Sequence, residues 1–554
     1  MAVLEKSPER EVLVHGSSRQ GRRIFLLASI LIVLLAASLR IYHIAHRSLW
    51  LDEAIAANIS RGTLAQTLTL TRGLHSAPIA DPLLLYAVEK VGSGPLAVRM
   101  PSFATSLLAV LVMLGFVTLP SIDYKTAGLA ALMLSVSAAQ IRYAQEVREY
   151  SLSVLFAALL LYAFLSYLSK QESRKSPIWL YLALFFAPLV QYGLVLFSFG
   201  VLSALLLLAF TPSKHGRGIA QLMTAFGFLT LGAGLSFFLT LRYQWGDDAW
   251  YLNEYFLTPG SNIFHFALSN THHLITFLLP GVVAASISTL AIVIDLVVSL
   301  RKRTVPPLAL LACTSCGIVL ACSTLHFYPY GGIRQCLFLA PLLCLLASAS
   351  LVRVLNRIPG RANLLVFAAV VCLLLLSGVL QIRLLKPYAE VEDIQQVLLS
   401  LRNRIAPADK VYIYPGAVFA VDFYVKERDQ RFLYGNYHQQ APEKYVPEML
   451  AGLDPEANRF WIVFSHIYRD EDKRILHDLS LDWNVEPVLL AQRSALYLAR
   501  RRPVDTGVLR SDASLTSTAT DVTDHTHDSF WVWNIRNARQ PSQCVRLDVI
   551  LNKL

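Results

Sequence analysis

Residues 24–54 read "IFLLASILIVLLAASLRIYHIAHRSLWLDEA". The stretch Ile24–Leu39 is uncharged, with Arg22 and Arg23 before it and Arg40 after it. A helix rises 1.5 Å per residue, so such a run with its flanks crosses the roughly 30 Å of bilayer hydrocarbon. Immediately beyond it stand Arg47, Trp50 and the adjacent carboxylates Asp52 and Glu53. Comparable apolar runs recur near 24–42, 101–119, 126–142, 148–168, 177–191, 193–210, 221–241, 274–299, 306–325, 335–352 and 363–383. The expected fold class is therefore an α-helical polytopic membrane protein of about eleven transmembrane helices. Composition agrees: the 554 residues are 55% hydrophobic and 16% charged, with a mean hydropathy of +0.48, too apolar for a soluble enzyme.

Orientation follows from Lys and Arg bias. The N-terminus with Lys6, Arg10, Arg19, Arg22 and Arg23, together with "LSKQESRKSP", "TPSKHGRG", "RKRTVPP" and "VRVLNRIPGR", fall on one side, which is read as cytoplasmic. An odd number of spans then puts the long first loop (43–100), the loop 242–272 and everything after about residue 384 outside, in a multi-pass protein of the inner (plasma) membrane. The net charge of +11 is largely this bias plus attraction to anionic lipid, and nucleic acid is not an expected partner. The first span lacks an A-x-A-like cleavage site and reads as a retained signal anchor. Six of the seven cysteines lie in expected spans, where Cys acts as a small hydrophobe, so no disulfide framework is implied.

The domain reading is a cytoplasmic N-terminus at 1–23, a transmembrane domain at 24–383 containing the outer loop 43–100, an extracytoplasmic α/β domain at 384–502 and a disordered tail at 503–554. In the α/β domain, "VEDIQQVLLSLRNRIAPADKVYIYPGAVFAVDFYV" reads as helix, turn, buried strand and helix. "RFWIVFSH", "EDKRILHDLSL", "NVEPVLLA" and "SALYLARR" continue as strand, helix, strand and strand. The tail, rich in Ser, Thr and Asp, cannot bury a core.

Three polar clusters stand at the outer ends of expected spans. The first contains Trp50, Asp52 and Glu53; alone it would read as an interfacial aromatic anchor before an acidic first helical turn. In the second, "AAQIRYAQEVREYSL" (138–152), a turn that needs only small polar residues carries Arg142, Tyr143, Gln145, Glu146, Arg148, Glu149 and Tyr150 instead. The third is "LHFYPYGGIRQCLFLAPLL", where Tyr330 precedes a glycine pair that permits close backbone approach, and Arg334 opens a span. Local ion pairing and snorkelling would account for the last two singly. Together the three place cations and carboxylates at the outer bilayer face, where a phosphate headgroup would lie.

These residues carry a resemblance. "LRIYHIAHRSLWLDEA", "RYAQEVREYSL" and "YGGIRQCLFLAP" resemble the acidic first-loop motif, the tyrosine, glutamate, arginine and tyrosine motif, and the late arginine of polytopic GT-C glycosyltransferases, in the bacterial branch of the protein O-mannosyltransferase and lipid A aminoarabinose transferase superfamily. "ADPLLLYAVEKVGSGPLAVRMPS" and the α/β tail domain extend the likeness to roughly residues 25–500. The chain departs from it at "HSAPIADP", where many relatives carry His-Pro-Pro, and at Gln191, where His is frequent.

The resemblance implies a polyprenyl phosphate sugar donor and transfer of the sugar to a hydroxyl of a lipid, protein or glycan outside the membrane. It assigns catalytic roles to Asp52 as general base and to Glu53 and Glu146, the latter orienting Arg148 or binding sugar hydroxyls. Substrate contacts fall to Arg148 and Arg334 as the phosphate clamp and to Tyr143, Tyr150, Tyr330 and His75. Arginine suits the clamp because its forked donors meet phosphate oxygens two at a time. No cofactor is expected. Adjacent Asp52 and Glu53 are not the separated Asp-x-Asp pair of related oligosaccharyltransferases, and Asp247 and Asp248 read as part of an aromatic-rich lid, with divalent-metal binding the alternative. The rival function, a lipid-linked sugar transporter or flippase, expects ionisable residues at the bilayer midplane and inverted repeats, and neither is visible.

Overall fold

The computed structural model describes residues 19–74, 76–169, 177–209, 215–244, 250–384, 392–425, 429–438 and 441–502. His75, Asp247, Asp248, Cys544 and the tail beyond residue 502 lie outside them. The chain divides into two compact units: Met1–His46, Ile59–Gly246 and Leu252–Lys386 form the first, and Arg47–Asn58, Asp247–Tyr251 and Pro387–Leu554 the second.

The first unit is helical. Among the described residues, seven helices are long and apolar enough to cross a bilayer: Gln20–Ile41, Pro95–Thr118, Tyr150–Ser169, Ile219–Gln244, Gly281–Arg301, Pro307–Thr324 and Arg334–Leu355. Shorter apolar helices occupy Tyr124–Val136, Ile178–Val190, Gly193–Ala209 and Arg361–Ser377. The protein is a multi-pass membrane protein, and each apolar run of the sequence is helical. Three of the expected runs differ in detail. The run near 126–142 ends its first helix at Val136, because Ser137 turns to φ −67°, ψ 127°, and a short helix, Ala138–Tyr143, follows. The run near 274–299 is broken by Pro280: Leu279 before it is held extended at φ −92°, ψ 161°, Gly281 after it has φ 75°, and the chain forms Ile263–Leu278 and then Gly281–Arg301. The run near 335–352 begins as a 3₁₀ turn, Arg334–Leu339, before the α-helix Ala340–Leu355.

The break at Ser137 leaves helix-end carbonyls that cannot be abandoned in an apolar setting. Arg40, fully buried, satisfies them: its guanidinium donates to Ser135 O at 2.9 Å and Leu134 O at 3.0 Å, and its Nε to Ser106 Oγ at 2.8 Å. Gln145 returns the arrangement, with its Nε2 donating to Arg40 O at 3.0 Å and Tyr42 O at 2.8 Å at the end of the first helix. These bonds pin the segment 144–149, so that its charged side chains are turned inward and not left on a loose loop.

The second unit is built on a five-stranded sheet of order β2-β1-β3-β5-β4, comprising β1 (Lys410–Ile413), β2 (Phe432–Tyr434), β3 (Arg459–Ser465), β4 (Trp483–Ala491) and β5 (Ser494–Arg501). β2, β1 and β3 run parallel, and β5 is antiparallel to β3 and β4. β3 is buried along all but its first residue, as a strand covered on both faces must be. The expected strand and helix order is present, with β2 and the helix Tyr445–Ala451 in addition. The topology also gathers a segment far away in sequence: residues 47–58, which the sequence places within the first loop, cluster with this unit.

Candidate active site

In the first unit, the residues 142–150 and 328–335 converge on one aromatic ring. The guanidinium carbons of Arg148 and Arg334 each lie 5.6 Å from the centroid of Tyr150, within cation–π range. Tyr143 meets the same ring edge-on at 5.2 Å. Tyr150 is 2% exposed, and Arg148 and Arg334 are both 5% exposed, so two cations share a buried position. Gathering like charges there costs free energy unless anions are near. One is Glu149, whose Oε2 accepts from Arg148 Nε at 3.1 Å. Glu146, expected to orient Arg148 or to bind sugar hydroxyls, accepts from Arg142 Nε at 3.2 Å, four residues before it in sequence. Its other oxygen, Oε2, is buried with no hydrogen-bond partner among the described residues.

A further carboxylate, not singled out by the sequence, also belongs to this cluster. Asp81 starts the helix Ala80–Glu89 and is 3% exposed. Burial pushes its carboxyl up to about 7; the negative charge of Glu149 adds to the rise and Arg148 opposes it. The available signal was an acidic residue ahead of a proline in an otherwise apolar part of the first loop.

The glycine pair before Arg334 is required by contact. A Cβ on Gly331, at φ 152°, would lie 2.8 Å from Asn270 Oδ1, and one on Gly332 would lie 2.9 Å from His273 O. Tyr330 is buried, with its hydroxyl 2.9 Å from Thr271 Oγ1 and its N–H donating to Tyr255 O at 3.3 Å. Tyr328 O–H donates to Gln335 O at 2.8 Å, and Gln191 Nε2 reaches the same carbonyl at 3.5 Å. The side-chain oxygens of Gln191 and Gln335 are buried without a hydrogen-bond partner among the described residues, leaving acceptors suited to hydroxyl donors. Adjacent to Gln191 in sequence, Tyr192 donates its hydroxyl at 3.0 Å to Thr240 Oγ1, which a π-helical turn, Phe237–Leu241, presents. His75 lies outside the described residues.

In the second unit, Asp52 and Glu53 occupy the first turn of the helix Leu51–Ile59 and are 7% and 0% exposed. The α/β domain grips this helix from both ends. Leu49 N–H donates to Tyr424 Oη at 2.9 Å, Leu51 N–H to Glu392 Oε2 at 3.1 Å and Asn58 Nδ2 to Phe419 O at 2.7 Å. Gln395 N–H returns a bond to Ser48 Oγ at 3.2 Å. The Tyr468 phenol is held well above its ordinary value by burial, with a hydrogen bond to Tyr437 opposing and the charges of Asp52, Glu392 and Glu471 adding to the rise. Asp52 and Glu53 are thus set in a structured acidic and aromatic surround, not in a mobile loop. Among the described residues, no group of three or more His, Cys, Asp or Glu side chains is gathered as a metal site.

No protein-family model matches this chain, and no curated protein matches its sequence. Solved structures do match. ArnT from Cupriavidus metallidurans bound to undecaprenyl phosphate superposes with a TM-score of 0.51 at 12% identity, over 87% of this chain and 98% of that one. Its apo state gives a TM-score of 0.53 at 13% identity, over 85% and 97%. The archaeal oligosaccharyltransferase AglB from Archaeoglobus fulgidus, in complex with an inhibitory peptide and a dolichol-phosphate, gives 0.51 at 10% identity, over 80% and 70%. At such identities the likeness is one of fold, and the chain has the fold of the polytopic GT-C glycosyltransferases.

Proposed function

We propose that this protein is a membrane glycosyltransferase that moves a sugar from a polyprenyl phosphate donor to a hydroxyl acceptor on the extracytoplasmic face. The observation that carries the reading is the pair of buried guanidiniums, Arg148 and Arg334, each 5.6 Å from the centroid of the Tyr150 ring, in a fold of this class. Two buried guanidiniums gathered on one ring, with forked donors that match phosphate oxygens, are suited to receiving a phosphate, which ArnT and AglB hold as lipid phosphate.

In the proposed reaction, the acceptor oxygen attacks the anomeric carbon while the bond from that carbon to the phosphate oxygen breaks. The phosphate leaves with the electron pair and is met by Arg148 and Arg334. Asp52 takes the acceptor proton, a role worth roughly 10² to 10⁴ in rate. Glu53, adjacent to Asp52 in the same helical turn, binds sugar hydroxyls. Glu146, Gln191 and Gln335 offer their unpartnered oxygens to sugar hydroxyls. Tyr143 supports Tyr150, and Tyr330 fixes the backbone that presents Arg334. A single displacement inverts the anomeric centre. No resident cofactor is needed for these steps, and the donor, the acceptor and the bilayer are the partners.

The test is turnover. Purified protein, offered a panel of polyprenyl phosphate sugars with a mixture of lipid, peptide and glycan hydroxyl acceptors, should release polyprenyl phosphate with at least one donor. Movement of lipid-linked sugar across proteoliposomes with no release from any donor would overturn the reading in favour of a transporter.

A further inference from the structure

The α/β domain has a topological switch point. β1 lies between β2 and β3, so the chain leaves its carboxyl end toward one side and returns on the other, and in open α/β sheets the crevice at such a point is where ligands sit. At this edge, directly after β3, stands His466, a non-glycine residue at φ 49° and 5% exposed. Its strained backbone is held against the end of β1: a Cβ on Gly416 would lie 2.4 Å from His466 O and 2.7 Å from Ser465 O. His466 Nδ1 is 2.5 Å from Glu392 Oε1, and Glu392, 2% exposed, accepts the Leu51 N–H with its other oxygen. One buried carboxylate therefore joins the switch-point loop to the residue preceding Asp52.

This is an expensive way to end a helix. Ser or Asn caps an N-terminus without burying a charge, and here a third carboxylate is placed against a turn that already carries Asp52 and Glu53. A charged acceptor on the helix dipole, itself fixed by an imidazole, holds the first turn more rigidly than a neutral cap does. We propose that Glu392 and His466 are positioning residues for Asp52: Glu392 sets the first turn of the Leu51–Ile59 helix, and His466 sets Glu392. The loop at the switch point is thus tied, through Glu392, to the chain's own acidic motif. This inference rests on the reading of Asp52 as the proton acceptor.

The test uses the full-length protein and the donor that supports turnover. Glu392→Met keeps the volume and removes the cap; kcat should fall about 10- to 100-fold with the donor KM within about twofold, since small displacements of a catalytic group act on the chemical step. Hydrogen exchange of peptides spanning 49–59 should quicken while the transmembrane helices stay protected. Glu392→Gln keeps an acceptor for the Leu51 N–H and should recover kcat to within about fivefold of the parent. His466→Gly, which suits the positive φ and removes the imidazole that sets Glu392, serves if Glu392→Met does not fold: exchange at 49–54 should quicken and kcat fall with KM unchanged. Unchanged exchange and parental kcat in either variant, or a rise in KM with kcat retained, would overturn the proposal. Asp52→Asn is measured beside them. If it is inactive while Glu392→Met turns over normally, the positioning role fails and the base role stands. If Asp52→Asn itself is fully active, the base role fails and takes the positioning role with it.

Discussion

Replacing Asp81 with Asn tests the electrostatics of the arginine cluster without touching an arginine. The Asp81 carboxyl rises from 3.8 to about 7 in the folded protein, about three pH units, equivalent to about 4 kcal/mol. The folded value exceeds the unfolded one, so the stability the proton confers is complete below about pH 4 and is lost as pH rises through about 7. Between pH 5 and pH 7 the loss amounts to about 2 kcal/mol, somewhat less than 1.36 kcal/mol per unit over two units because the folded carboxyl is itself half ionised near pH 7. Asp81→Asn has no such proton to lose. Thermal unfolding of both proteins in one detergent, at one scan rate, from pH 5 to pH 8, should therefore show the parent's apparent Tm falling more steeply than the variant's, by roughly a few degrees. Turnover gives a second reading: ionising Asp81 adds negative charge beside Glu149 and Arg148, so the donor KM of the parent should rise above about pH 7 and that of the variant should not. Superimposable pH dependences of Tm would refute the assignment of a buried, proton-holding carboxyl at this position.

Further outcomes follow from the same geometry. Arg334→Lys keeps the charge but loses the fork and should retain partial activity, while Arg334→Ala should lose most of it with folding intact; normal turnover in Arg334→Ala would return this residue to a snorkelling role. For topology, reporters fused after residues 174 and 302 should read cytoplasmic and those after 60, 255 and 430 external, following the Lys and Arg bias. A cytoplasmic signal at 430 would contradict the proposed orientation of the α/β domain.

The helices were legible because a bilayer demands length and hydrophobicity that composition displays directly. The arginines were legible because charge at the ends of such helices has few structural excuses. Pairings were harder. Glu146 and Glu149 are three residues apart around Arg148, and only the bend after Tyr143 decides that Glu149 meets Arg148 and Glu146 meets Arg142. Asp81 was hidden because its raised pKa comes from burial, which one-dimensional spacing does not reveal. The grip of the α/β domain on the Asp52 helix is hidden further still, since Leu51 and Glu392 are separated by 341 positions. Pro280 carries the signal for the helix break it makes, masked by the unbroken apolar run on either side of it.

The most direct test of the account is the release of polyprenyl phosphate from a polyprenyl phosphate sugar by purified protein at saturating donor and acceptor, with Asp52→Asn run beside it and unfolding followed in both. Asp52→Asn keeps size and hydrogen bonding but cannot take the acceptor proton, so turnover should fall by roughly 10² to 10⁴ with donor binding little changed and Tm close to the parent's. Turnover within about threefold of the parent would contradict the account, because loss of a positioned proton acceptor costs far more than that.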